Sequence, residues 1–198
     1  MEKAGMMNKQ LIRKEIYKLK QSLPDETAAY LSRKICCRLV QTEEFQKAHC
    51  IALYYSIKGE VQTVEPIEEW CKKKKIVLPA VSGENMSFYL YTGKEHLIPG
   101  TLNIPEPVSP EMIPAENIDL FVVPGIAFDR ECNRMGRGKG YYDRFLAETD
   151  KPAIGLCFGF QLKERIPTEE HDRKMTMVIA EDAIVSSHHQ SHRNLHDY

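Results

Sequence analysis

The run "IDLFVVPGIAF", residues 118–128, constrains this chain most, because it holds one charged side chain, Asp119, in eleven residues. A strand that is apolar at successive positions offers both of its faces to a core, so it belongs inside a sheet covered on both sides. Layers of helix must therefore come from the rest of the chain.

They are legible on either side of it. "NKQLIRKEIYKLKQSL" carries Leu11, Ile12, Ile16 and Leu19 at helical spacing, with Lys9 and Arg13 together at the border of that stripe. "SLPDETAAYLSRKICCRLV" opens a second helix with Pro24 and two acids, and Ala28, Leu31, Ile35 and Leu39 recur along one face. "CIALYYS", "TVEPIEEWCKKKK" and "IVLPAV" then read as strand, helix and strand. The lysines at 72–75 sit where cations stabilise the C-terminal end of a helix, so a solvated helix end is expected. "MSFYLY" reads as a strand, and "IPGTLNIPEPVSPEMIP" as an extended surface crossing. Beyond residue 128, "AIGLCF" and "TMVIA" supply further strands after the helical "YYDRFLAET". Strands alternating with helices predict an α/β layered sandwich with a largely parallel central sheet flanked by helices.

At 198 residues one domain suffices, placed at residues 1–185, and the histidine-rich segment at 186–198 is expected to be a disordered tail. A net charge of −1 excludes a surface that coats nucleic acid, so any cationic site must be local. The six cysteines have neither C-x-x-C nor zinc-finger spacing, which fits reduced thiols better than a disulfide framework or a metal cluster. "MEKAGMMNKQ" lacks the apolar run of a secretory signal, and nowhere do eighteen apolar residues follow one another. The expectation is a soluble cytoplasmic monomer, without membrane or nucleic-acid partners, acting on a small molecule.

The densest chemistry lies at "GRGKGYYD", Gly136 to Asp143. Gly136, Gly138 and Gly140 let main chain approach a ligand closely, and consecutive N–H groups before a helix attract negative charge. Arg134, Arg137 and Lys139 add cations at the same place, just beyond a strand end of the kind where open α/β sheets bind ligands. Phosphate suits such a loop, although a flexible glycine-rich connection has the same composition. A Walker-type loop is excluded, since Gly140 stands where a magnesium-binding hydroxyl is required. Asp143 could hold magnesium or simply favour the first turn of a helix.

The longer run "VVPGIAFDRECNRMGRGKGYYDRFL" resembles the signature of the 5-formyltetrahydrofolate cyclo-ligase family, also called methenyltetrahydrofolate synthetase. "KQLIR", "SIKGEVQT", "NIPEP" and a late "HD" after "IPTEE" follow in family order, so the resemblance spans nearly the whole chain except the tail. It implies an ATP-dependent, magnesium-assisted conversion of 5-formyltetrahydrofolate to 5,10-methenyltetrahydrofolate. It also implies that Lys9, Arg13, Arg134, Met135, Gly136, Arg137, Gly138, Lys139, Gly140, Tyr141 and Tyr142 contact ATP. Lys139 and Arg137 would neutralise the migrating phosphoryl group, and Asp143 and Asp172 would hold magnesium. Glu60 and Tyr55, with the loop from Arg137 to Tyr141, would contact the reduced folate. Read without the resemblance, Lys9 and Arg13 are equally a solvated helix edge, Glu60 and Asp172 ordinary loop acids, and Tyr55 and Tyr141 core packing. Another phosphotransferase or sugar-phosphate isomerase, or a noncatalytic folate or nucleotide binder, would use similar parts.

Overall fold

The protein, a computed structural model, is described at residues 8–169 and 172–187. Of the segment 186–198 expected to be a disordered tail, Ser186 ends a strand and the Ser187 N–H bonds the Thr176 carbonyl at 3.1 Å, while residues 188–198, and His171 of the late "HD", lie outside the described residues.

The chain opens with α1 (Lys9–Ser22), α2 (Asp25–Val40) and the short α3 (Glu43–Lys47). β1 (Cys50–Ala52), α4 (Val64–Trp70), β2 (Lys75–Ser82) and β3 (Asn85–Leu90) come next. The proline-rich crossing contains β4 (Leu97–Pro99), β5 (Pro105–Pro107) and β6 (Met112–Ile113). Then come β7 (Leu120–Pro124), β8 (Ala127–Asp129), β9 (Arg134–Met135), α5 (Tyr141–Ala147) and β10 (Ala153–Leu156). β11 (Leu162–Lys163), β12 (Met177–Ile179) and β13 (Ile184–Ser186) complete the order.

Eight strands form one sheet in the order β13-β12-β10-β7-β1-β2-β3-β6. The five from β12 to β2 are parallel, with Ile51 opposite both Ile76 and Leu120, and Phe121 opposite Ala153. The edges β13, β3 and β6 are antiparallel. Numbered in chain order, the parallel five run 2-1-3-4-5 in space, so the connections leave β1 and β7 in opposite directions. That divergence is the point at which a doubly wound sheet opens a crevice beyond its strand ends.

The alternation along β7 explains the layers. Leu120 and Val122 pack with Ile35 and Leu39 of α2, Phe45 of α3 and Ile67 of α4 on one face. Phe121 and Val123 face the other side with Phe128 and Leu146, and Phe145 of α5 meets Phe88 and Phe121 edge to face at 4.9 and 5.5 Å. Each fully buried aromatic or aliphatic side chain of this kind contributes roughly 2 kcal/mol of transfer free energy. The layered sandwich expected from the sequence is therefore the fold observed.

Several local expectations need correction. "IDLFVVPGIAF" is two strands, because β7 stops at Pro124 and β8 joins β9 and β11 in a separate three-stranded sheet. Proline has no ladder donor, and the carbonyls of Gly125 and Ile126 both accept from the Gln161 side-chain amide at 3.0 Å. The strand read at "CIALYYS" ends at Ala52, leaving Tyr54 and Tyr55 in the loop beyond it. In α1 only Ile12 and Ile16 of the stripe are buried; Leu11 is 64% and Leu19 37% exposed. The helix docks through a narrow edge against Ala127, Met135 and Ile166 instead of lying flat on the sheet. Of the lysines at 72–75, Lys74 is not simply solvated: its ammonium bonds the Ala48 carbonyl at 2.6 Å and lies over the Phe45 ring. Among the described residues no helix is long and apolar enough to cross a membrane.

Candidate functional site

A cleft opens where β1 and β7 diverge. Tyr54, Tyr55 and Glu60 come from the loop after β1, Pro124 and Gly125 from the end of β7, and Pro79, Val81 and Met86 from the β2–β3 hairpin. Its fourth side is the segment from Arg134 to Asp143. Its lining, mostly apolar with a few convergent polar groups, suits a flat organic ligand beside an anionic group.

The local sequence explains how Arg134 reaches this place. Asp129 is wholly buried at the end of β8, and its carboxylate accepts from the Glu131, Asn133 and Ile166 main-chain N–H groups at 3.0, 2.9 and 3.1 Å. The Asn133 side-chain amide adds a fourth bond at 2.9 Å. These bonds close the turn between β8 and β9 and tie it to the later segment at Ile166. Pairing of Phe128 with Arg134 then returns the chain to the exit of β7. The Arg134 guanidinium donates to the Pro124 carbonyl at 3.2 Å and to the Asp143 carboxylate at 2.7 Å, with 4% of its side chain exposed. It also lies 5.5 Å from the Tyr142 ring centre.

The glycine segment comes immediately after. Gly138 and Gly140 have φ of +89° and +69°, a left-handed conformation that other side chains rarely adopt. A Cβ at Gly140 would also stand 2.8 Å from a terminal nitrogen of Arg144. Arg144 holds the loop from behind, donating to the Lys139 carbonyl at 3.0 Å and to the Glu84 carbonyl of the β2–β3 hairpin at 2.7 Å. Tyr141 reaches the same hairpin through its hydroxyl, which donates to the Gly83 carbonyl at 3.2 Å. Arg13 supports the loop from α1, its guanidinium donating to the Gly136 carbonyl at 3.3 and 3.4 Å. Arg137 and Lys139 are left as exposed cations at the rim, and the Lys139 ammonium has no ion-pair partner among the described residues.

Opposite them stands Glu60, whose carboxylate accepts from Arg137 at 2.8 Å and from the Ile57 N–H at 3.2 Å. Tyr54 is locked nearby, its hydroxyl donating to the Val61 carbonyl at 2.9 Å; burial pushes its pKa well above the ordinary value, with Glu60 adding to the shift. Tyr142 is raised as well, by burial first and then by Glu60, so both phenols stay protonated near neutral pH. Lys20 at the end of α1 lies against Gly59, and burial lowers its pKa despite the opposing pull of Glu60.

The residues expected from the sequence are thus brought together unequally. Tyr55, Glu60, Arg134, Gly136, Arg137, Lys139, Gly140, Tyr141, Tyr142 and Asp143 all border the cleft. Arg13 and Gly138 lie behind or beside the loop, within 3.5 Å of each other when a Cβ is placed at Gly138. The Met135 side chain is buried against Ile12 and Ile16, so only its main chain belongs to the loop. Lys9 bonds Glu169 at 2.6 Å and lies 3.6 Å from Asp172, whose carboxylate accepts from the Glu169 N–H. Asp143 instead faces Arg134, at 2.7 Å. Among the described residues no group of three histidines, cysteines or acids could hold a metal ion.

Sequence reasoning missed Lys20, Asp129 and Gln161, and treated the proline-rich crossing only as a surface loop. That crossing lines the cleft with Thr101, Ile104 and Glu106. A signal existed for Asp129, since the spacing of Phe-Asp and Asn-Arg is part of the signature run. None marked Gln161, whose partners lie 35 and 36 residues earlier.

Comparison with known proteins places the chain among relatives of one kind. The model of the 5-formyltetrahydrofolate cyclo-ligase family matches residues 5–181. The mouse 5-formyltetrahydrofolate cyclo-ligase is 30% identical over 191 residues, covering 88% of this chain and 94% of that protein. Its Escherichia coli K12 counterpart is 28% identical over 169 residues, covering 81% and 93%. The solution structure of Aquifex aeolicus 5,10-methenyltetrahydrofolate synthetase superposes with a TM-score of 0.85 at 34% identity, covering 97% of this chain and 98% of that one. The synthetase from Mycoplasma pneumoniae gives 0.72 at 27% identity, covering 87% and 98%. With the family model matched over residues 5–181, and relatives of that name aligned along most of their own length, the chain belongs to the 5-formyltetrahydrofolate cyclo-ligase family.

Proposed function

We propose that the protein converts ATP and 5-formyltetrahydrofolate into ADP, phosphate and 5,10-methenyltetrahydrofolate. One observation carries this reading: the Arg137–Glu60 bond of 2.8 Å joins the cationic glycine loop to a carboxylate on the far wall of the same cleft. An anion-binding half and a half suited to an aminopyrimidinone ring thereby share one opening, as a reaction between ATP and a folate requires.

In this reading the glycine loop holds the nucleotide phosphates through main-chain N–H groups, with Arg13, Arg134 and Arg137 around it. Lys139, at the rim and without an ion-pair partner among the described residues, meets the γ-phosphoryl group as it moves to the formyl oxygen. Charge placed where negative charge develops lowers the barrier, and the remainder is positioning. Transfer breaks the bond between the γ-phosphorus and the bridging oxygen, releases ADP, and makes the formyl oxygen a leaving group. N10 then attacks the activated carbon and loses its proton, after which the carbon–oxygen bond breaks and phosphate departs. Glu60 accepts N–H bonds from the pterin edge, and Tyr55 and Tyr141 border the rings.

Magnesium in its usual mode would be shared between one or two carboxylates and the substrate phosphates. Asp143 at the cleft and Asp172 beside Lys9 are the acids proposed to hold it. When bound, the ion supplies neutralisation of nucleotide charge. Asp143 is already oriented by Arg134, which keeps its carboxylate at the edge of the glycine loop.

Mixing the purified protein with magnesium ATP and 5-formyltetrahydrofolate should give ADP and the ultraviolet-absorbing methenyl product in equal amounts. Folded protein that forms neither would defeat the proposal. ADP release with other acceptors, and none with the formylated folate, would point instead to a different phosphotransferase.

A further inference from the structure

The hydroxyl oxygen of Tyr142 is shut off from solvent and has no hydrogen-bond partner among the described residues. A buried hydroxyl without a partner is costly, and folded proteins rarely keep one unless another state of the molecule satisfies it. Tyr142 borders the cleft on its glycine-loop side, whereas the hydroxyls of Tyr54 and Tyr141 are already committed to the Val61 and Gly83 carbonyls. Of these three ring hydroxyls, Tyr142 therefore offers the available donor. The facing charged groups are Glu60 and Arg134, and burial together with Glu60 keeps the phenol protonated.

The neighbouring groups determine what such a donor would meet. The cations Arg137 and Lys139 serve an anion at the rim. Glu60 offers acceptors on the opposite wall. A carboxylate with a hydroxyl donor matches the edge of an aminopyrimidinone ring, which presents an amine, a ring N–H and a carbonyl oxygen in succession.

We propose that the Tyr142 hydroxyl is a substrate-contacting specificity group, donating a hydrogen bond to the ring carbonyl of the folate beside Glu60. This inference rests on the folate cyclo-ligase reading. It assigns Tyr142 to the folate, whereas the sequence resemblance assigns it to ATP.

Tyr142→Phe removes the oxygen and keeps the ring. Because the hydroxyl has no partner among the described residues, the melting temperature of ligand-free Tyr142→Phe should equal or exceed that of the unaltered protein. Its KM for 5-formyltetrahydrofolate should rise roughly tenfold, with kcat and the KM for ATP each within about twofold, the pattern of a lost uniform-binding contact. Calorimetric titration of the formylated folate without ATP should show a matching loss of affinity. A destabilised or unfolded variant would make the hydroxyl a structural group and overturn the inference. So would unchanged folate constants, a rise confined to the KM for ATP, or a fall in kcat at constant KM. If the unaltered protein itself makes no methenyl product, the functional reading fails; if only the two forms behave alike, this inference alone fails.

Discussion

The two ends of the central strands β1 and β7 are built differently. At their start, Asp119 accepts from the His49 and Cys50 N–H groups at 2.8 and 2.9 Å, and its own N–H bonds the Cys50 carbonyl at 2.9 Å. That end joins neighbouring strands with its polar groups paired. At the other end the chain turns through Pro124 and Gly125, and a buried arginine nitrogen and a buried phenol are left without partners among the described residues. Positive-φ glycines and two exposed cations stand beside them. Both ends share one sheet, so the contrast separates bonds that hold strands together from groups kept available for a ligand.

The sharpest way to break this comparison is Lys139→Ala. Loss of one charge aligned with developing phosphoryl charge should lower kcat by roughly 100- to 1,000-fold. The melting temperature should stay within about 2 °C, because an exposed lysine contributes little to folding. A steady-state assay beside a thermal melt checks both, and full activity would remove Lys139 from the mechanism.

Glu60→Gln tests the bond that joins the two halves of the cleft. An amide replaces one carboxylate acceptor by a donor, so the KM for the formylated folate should rise by roughly 10- to 50-fold. The KM for ATP should move much less, since Arg137 remains. Equal changes in both constants would mean that Glu60 acts by placing Arg137.

The smallest effect is expected at the opposite end of the strands. Asp119→Ala should cost about 1 kcal/mol after discounting for solvent screening, with kcat and both KM values unchanged. Partial burial pulls the Asp119 pKa upward, but the two backbone N–H bonds and Lys151 outweigh it and hold the carboxyl below its ordinary value. A carboxyl depressed on folding contributes stability that is present above its unfolded pKa and lost as pH falls through the folded one. The gap in stability between the two proteins should therefore be constant near neutrality and close below about pH 4. Urea titrations at several pH values would measure it, and a gap that widens in acid would contradict the assignment.

Much of the site was legible because its chemistry is concentrated in one short stretch. Three glycines, two cations and Asp143 within eight residues declare a turn that approaches an anion, and the resemblance extended the reading to Glu60. The supports of that stretch were not legible. Arg144 looks like an ordinary helix cation until its guanidinium is seen bridging the Lys139 and Glu84 carbonyls. The proline-rich crossing has no apolar periodicity, yet its β4–β5 hairpin carries Thr101 and Glu106 to the cleft, with the Glu106 carboxylate accepting from the Thr101 N–H at 3.0 Å. Short strands of this kind are decided by partners distant in the chain more than by local propensity.

By itself the sequence determined the features that local periodicity and composition dictate: alternating strands and helices, a sheet covered on both faces, and a glycine-rich cationic turn. Tertiary structure alone decided the order of the parallel strands, and with it the meeting of Glu60 and Arg137 across 77 positions of chain. The physical reason is range. Backbone preference and side-chain spacing act within a few residues, whereas strand order is chosen by the packing of distant apolar faces, and only that choice brings one loop's carboxylate opposite another loop's cations.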